Sequence, residues 1–174
     1  PIFFFGQEEI RYIENLGQWN EQVLYKAKLE NGEAFLKQNL VRFNFYDSDK
    51  IDKLHNENLL NSNLNIDQYS YDLIFLNSNK NVSIKSENTF DEYYNYFLGS
   101  DKSKWHGNVS AYKHIVYSQI YEGIDCKFYS RDNYLKYDFI IAPKVNVENI
   151  KLDYSGVNIE KYNESILIDL GFNK

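Results

Sequence analysis

Several small groups of residues carry side chains that could do chemistry. Asp47-Ser48-Asp49, followed by Asp52, offers closely spaced carboxylates of the kind a calcium loop uses. Counted from Asp47, an EF-hand needs an oxygen ligand at its fifth position, Gly at its sixth and Glu at its twelfth. Those positions hold Ile51, Asp52 and Asn58, so the pattern fails. Ser110-Ala111-Tyr112-Lys113 has the S-x-x-K spacing that sets a lysine against a nucleophilic serine across one helical turn. Here the tetrad begins a strand-like stretch, where i and i+3 point to opposite faces, and the companion S-D-N and K-T-G motifs are missing. His55, His106 and His114 are the only histidines and match no metal-binding spacing. Glu122 and Asp125 straddle Gly123 and could form the carboxylate pair of a glycoside hydrolase, which holds its carboxyl groups about 5–10 Å apart. Against that, Gly123 marks a turn and Asp125 falls on the outward side of a strand. Cys126, the single cysteine, falls on the inward side and reads as a small buried apolar residue. A structural role fits each of these better than catalysis, and neither a cofactor nor a metal is expected.

Recognition is the remaining chemistry. Tyr93-Tyr94-Asn95-Tyr96-Phe97-Leu98-Gly99 is dense in rings, and Trp105 follows shortly. Exposed rings stack on sugars and mark recognition surfaces, while tyrosines at a core edge bury the ring and keep the hydroxyl wet. Both readings stand for this stretch. As a binding face it would consist of Tyr93, Tyr94, Tyr96 and Trp105. Asn81, Asn108 and Asn163 begin N-x-S sequons, which carry weight only in a eukaryotic secretory host.

The elements that must position these groups follow from composition and alternation. The 174 residues, at 20.7 kDa, fit one domain large enough to bury a core without metal or disulfide. A net charge of −6 argues against a nucleic-acid footprint and against attraction to anionic lipid. Twenty-two asparagines beside 16 tyrosines and 12 phenylalanines describe many short strands joined by many turns. Pro1–Gln7 reads either as the tail of a signal peptide or as a first buried strand, leaving 8–174 as a single domain. No segment approaches the roughly 20 apolar residues that span a bilayer.

Period-two alternation dominates. Val23 to Leu29 is followed by Asn31-Gly32, the sequence of a type I′ turn, and Glu33 to Lys37 returns. Further stripes are Val41/Phe43/Phe45, Tyr69/Tyr71/Leu73/Phe75, Ile124/Cys126/Phe128, Leu135/Tyr137/Phe139/Ile141, Ile150/Leu152/Tyr154 and Ile166/Ile168/Leu170. Ser130 to Asn133 reads as a turn. Asp47 to Leu60 carries a weak helical spacing, 61–65 reads as a loop, and Asn146 could cap one helical turn. The expected fold is mainly β: an antiparallel two-layer β-sandwich with one short helix and long loops.

One succession of motifs resembles a known family. Tyr12-Ile13-Glu14-Asn15-Leu16-Gly17-Gln18-Trp19 resembles an opening F-x-E-N-x-G-Q-W. Asn95–Gly99, Lys104-Trp105, Asn108-Val109, Ala111-Tyr112, Ile120–Asp125, Phe128-Tyr129, Leu135–Phe139 and Ala142-Pro143 follow in order. From Arg11 to Gly171 the chain is similar to an uncharacterised N-terminal domain of large secreted proteins of the Bacteroidetes type. That domain precedes SBBP seven-bladed-propeller repeats, PKD-like modules and gliding-motility-type C-terminal sorting signals. The resemblance implies a bacterial secreted or cell-surface location and a multidomain parent, and it carries over no catalytic residue. Glu122 and Ser110 depart from it, standing where proline is frequent. The shared glycines would serve positive φ or close backbone approach, and Trp19 and Trp105 would close the ends of the sandwich. The expected function is a non-enzymatic module in architecture or adhesion, with carbohydrate binding on the aromatic surface as the alternative. Expected partners are other domains of the same polypeptide, glycans or surface proteins, without nucleic acid or membrane insertion.

Overall fold

The computed structural model describes residues 9–47, 67–97 and 99–170. It is mainly antiparallel β, with strands β1 (Tyr12–Glu14), β2 (Tyr25–Leu29), β3 (Gly32–Leu36), β4 (Leu40–Tyr46), β5 (Gln68–Phe75), β6 (Ser83–Tyr96), β7 (His106–Tyr121), β8 (Ile124–Arg131), β9 (Tyr134–Ile141), β10 (Leu152–Ser155), β11 (Asn158–Tyr162) and β12 (Ser165–Asp169). The expected helix at 47–60, the loop at 61–65 and the Pro1–Gln7 segment lie outside the described residues, save Asp47, which follows β4. Among the described residues helix is confined to two 3₁₀ turns, Lys102–Lys104 and Val147–Asn149. Asn146 caps the second, its side chain accepting from the Glu148 N–H at 3.0 Å, as expected of a short polar residue there. No helix of the described residues is long and apolar enough to cross a membrane.

The layers arise from one sheet that curls, in the order β10-β5-β4-β3-β2-β1-β7-β8-β9, while β6 pairs along the other side of β7. A separate hairpin, β11–β12, forms a small second sheet. Strand β7 is the seam. Its Ala111 and Tyr112 pair with Ile13 and Tyr12, and its residues from Ile115 onward pair with β8. Curling brings β5 and β10 over β8 and β9. The Phe75 ring of β5 lies 6.1 Å from Tyr117, 6.4 Å from Phe128 and 6.3 Å from Phe139, one on each of β7, β8 and β9. The apolar stripes read from the sequence supply this core: Ala27, Leu36, Val41, Leu73, Phe75, Ile124, Cys126 and Phe128 are all essentially inaccessible. Burying a side chain such as Phe75 contributes on the order of 1.5–3 kcal/mol.

Buried tyrosines tie the layers with their hydroxyls. Tyr117 donates to the Lys37 carbonyl at 2.8 Å, Tyr12 to the Tyr129 carbonyl at 3.1 Å, and Tyr121 to the Lys151 carbonyl at 2.8 Å. Each satisfies a hydroxyl that would otherwise cost free energy inside.

Two turns differ from expectation. Leu29 pairs with Gly32, so the β2–β3 turn is Glu30-Asn31, and neither Asn31 nor Gly32 has positive φ. Gly32 is needed for space: a Cβ there would stand 2.0 Å from the Asn44 carbonyl oxygen of β4. The paired positive φ of a type I′ turn appears instead at Asp132 (51°) and Asn133 (63°), joining β8 to β9.

Candidate functional site

The Asn15–Trp19 motif builds a self-bonded loop. The Asn15 side-chain Oδ1 accepts from the Gly17 and Trp19 N–H groups at 3.1 and 3.2 Å, and its Nδ2 donates to the Asn20 and Val23 backbone carbonyls. Gln18 donates to the Glu14 carbonyl at 2.6 Å and accepts from Leu16 N–H. Gly17, at φ 122°, lies against His106, whose Nε2 would be 2.9 Å from any added Cβ. The loop therefore fixes Trp19 on the face of β1 opposite the main core. There Ile13, Val109 and Ala111 form a smaller buried cluster covered by Trp19, Phe90, Tyr94 and Tyr96.

This face holds part of the predicted aromatic set. Tyr94 and Tyr96 stack at 6.4 Å, and Tyr96 meets Trp19 edge-on at 5.3 Å. Burial, then the neighbouring Tyr94, raises the Tyr96 hydroxyl's pKa. Register shifts on β6 between Thr89 and Tyr93 and between Tyr94 and Tyr96 leave Tyr93 outside this cluster, 61% exposed. Trp105 forms a second group. Its indole N–H donates to the Gly99 carbonyl at 3.2 Å, its ring meets Phe97 edge-on at 5.6 Å, and the Lys102 ammonium lies 5.7 Å from its centroid. The four residues proposed from sequence thus fall into a half-buried pair, an exposed single ring and a rigidly held exposed indole. Neither tryptophan closes an end of the main core: Trp19 covers the smaller cluster, and Trp105 is exposed.

Cations cover the same face, which the sequence reading did not detect. The Lys26 ammonium sits 5.3 Å from the Trp19 centroid and 5.6 Å from Phe35, and pairs with Glu33. Phe90 lies between the Arg11 guanidinium at 4.5 Å and the Lys113 ammonium at 4.9 Å. The signal was available in the cross-strand register, since Ile13, Lys26, Phe35 and Arg42 follow one another across β1 to β4, but single-strand alternation does not reveal it.

A second concavity opens between the layers where the β2–β3 and β8–β9 turns lie. It encloses about 540 Å³. Stacked Phe43, Phe45 and Tyr71 line it with Tyr137 and Tyr154, whose hydroxyls meet at 3.3 Å. Burial, then Tyr154, pushes the Tyr71 hydroxyl up to about 12. The sequence marks these rings as interior, and the structure leaves part of their surface in an apolar groove.

Of the residues considered for catalysis, Glu122 is exposed at the β7–β8 turn with no side-chain partner among the described residues, while Asp125, Lys113 and the described histidines are held by the scaffold. Asp125 accepts from the Gln119 N–H at 2.7 Å, holding a break in β7 where Gln119 has φ 55°. Lys113 bonds Glu9 at 3.1 Å and lies over Phe90. His114 Nδ1 meets the Asn88 amide at 3.1 Å, and desolvation, then Lys127, lowers its pKa. His106 packs over Gly17, and His55 lies outside the described residues. Cys126 is fully buried, and burial, then Asp138, raises its thiol pKa strongly. Among the described residues no three His, Cys, Asp or Glu side chains gather as a metal group.

The family described as Domain of unknown function (DUF7948) has a model that matches residues 12–174, nearly the whole chain. The chain belongs to this family. No curated protein and no solved structure matches it. The match covers all but Arg11 of the stretch over which the motif resemblance runs, and within the DUF7948 domain the motifs include the Trp19 loop, the end of β6, the start of β7, the β7–β8 turn and the paired strands β8 and β9.

Proposed function

We propose that this DUF7948 domain is a non-enzymatic module of a larger secreted or cell-surface bacterial protein, acting in architecture or adhesion. The observation that carries the reading is where the motif residues direct their polar groups. Asn15, Gln18, Tyr121 and Asp125 all bond the chain's own backbone, so these motif positions serve the scaffold. The motif succession supports a parent of the Bacteroidetes type, with propeller repeats and a sorting signal further along. Deleting the domain from its parent in the native host tests this. Loss of surface attachment, or rapid proteolysis of the remaining protein, is expected; unchanged attachment together with unchanged protease resistance refutes it.

One observation favours a second reading, carbohydrate binding. The Trp105 indole is fixed through its N–H yet remains 38% exposed beside Phe97, which is the form of a stacking platform. A glycan array with Trp105→Ala and Tyr94→Ala separates the readings. Binding lost in folded Trp105→Ala supports this second reading, and silence across the array removes it.

A further inference from the structure

At the end of the sandwich opposite the apolar groove, a polar cleft of about 780 Å³ lies between the β5–β6 loop, the β7–β8 turn and the segment leading to β10. Its walls are pinned. Tyr121 Oη and Leu76 N–H both donate to the Lys151 carbonyl, Asn79 N–H donates to the Ile120 carbonyl at 2.8 Å, and Gly123 N–H donates to Gln119 Oε1 at 3.0 Å. The side chains of Asn77, Glu122, Asn149 and Lys151 line this cleft and, among the described residues, make no hydrogen bond or ion pair. That contrasts with Asn15, Gln18, Tyr121 and Asp125, whose polar groups are bonded to the chain's own backbone. The bonds fix the backbone of the walls, and the four exposed side chains present donors and acceptors that a polar ligand can reach without breaking an internal bond.

The chemistry of the lining selects the class. Amides offer a donor and an acceptor from one group, which matches adjacent hydroxyls on a sugar ring. Glu122 and Glu148 outnumber Lys151, so an anionic ligand is repelled. A hydrocarbon ligand would strip water from amides and give nothing back. We infer that this cleft is a binding site for a neutral glycan chain, distinct from the Trp105 surface and independent of the adhesive reading above.

The test is titration of the ¹⁵N-labelled domain with neutral hexasaccharides of glucose, mannose and xylose, with hexagalacturonate as the anionic comparison. Saturable shifts at Asn77, Glu122 and Asn149 with at least one neutral sugar are expected. Asn149→Ala and Glu122→Ala, both removing internally unbonded side chains, should weaken binding about tenfold, a lost hydrogen bond's worth, at an unchanged thermal midpoint. Three results overturn the inference: no shifts with any neutral sugar, tighter binding of hexagalacturonate, or shifts confined to Phe97 and Trp105 with the cleft silent.

Discussion

Raising the pH should unfold this domain in one step, and the buried tyrosines set where. Tyr12 and Tyr117 are held neutral, their pKa values raised well above the usual 10 chiefly by desolvation, and Cys126 is raised by the same cause. In the unfolded chain the two phenols ionise near pH 10 and the thiol near 8.5. The folded pKa values are the higher ones, so the stabilising contribution is complete below those unfolded values and falls as pH rises through them toward the folded values. Each group retained as the neutral form costs about 1.4 kcal/mol per pH unit above its unfolded pKa. At pH 11.5 the three together remove about 8 kcal/mol, against a typical domain stability of about 5–15 kcal/mol. The expected transition therefore lies near pH 11–12. The assay is tyrosinate absorbance at 295 nm beside near-ultraviolet circular dichroism. A cooperative rise in tyrosinate absorbance is expected to coincide with loss of the dichroic signal. A single smooth titration of all 16 tyrosines near pH 10, with the dichroism unchanged, would refute the assignment of Tyr12 and Tyr117 to a dry core.

Two further outcomes test the packing. Phe75→Ala, which removes the ring joining the layers, should cost about 3–5 kcal/mol, whereas the exposed Lys136→Ala stays within about half a kcal/mol; equal urea midpoints would contradict the curled arrangement. Gly32→Ala places a methyl against the Asn44 carbonyl oxygen, so a loss of about 2 kcal/mol or more is expected by thermal melting, and a neutral effect would place the β3–β4 approach wrongly.

Much of the fold was legible because the core-facing side of β4, β5 and β8 keeps strict alternation over whole strands. What the alternation concealed was β6 and the inner logic of β7. Tyr112 packs against the main core, and so does Ile115, although an odd separation should place them on opposite faces. Opposite Lys113 in the register lies Asn88 at φ 58°, and Gln119 at φ 55° interrupts β7 again, so period two is lost where the strand bends. The aromatic set was legible as a cluster of rings but not in its division, because the register shifts on β6 decide which tyrosine turns inward. The polar cleft was not legible as a site: Glu122 and Asn146 stood out for other reasons, and the lining comes from the end of β7 and from loops that only tertiary structure brings together.

The narrow join at β1 bears on how the chain reaches this shape. β2 to β5 form a meander of neighbours in sequence, as do β6 to β9, and the β2–β3, β3–β4, β7–β8 and β8–β9 connections are short enough to zip locally. The two are joined where residues 12 and 13 meet 112 and 111, a closure that spans most of the polypeptide and carries its entropy with few hydrogen bonds to offset it. Assembly of the halves, rather than formation of either, is therefore expected to limit the rate of folding.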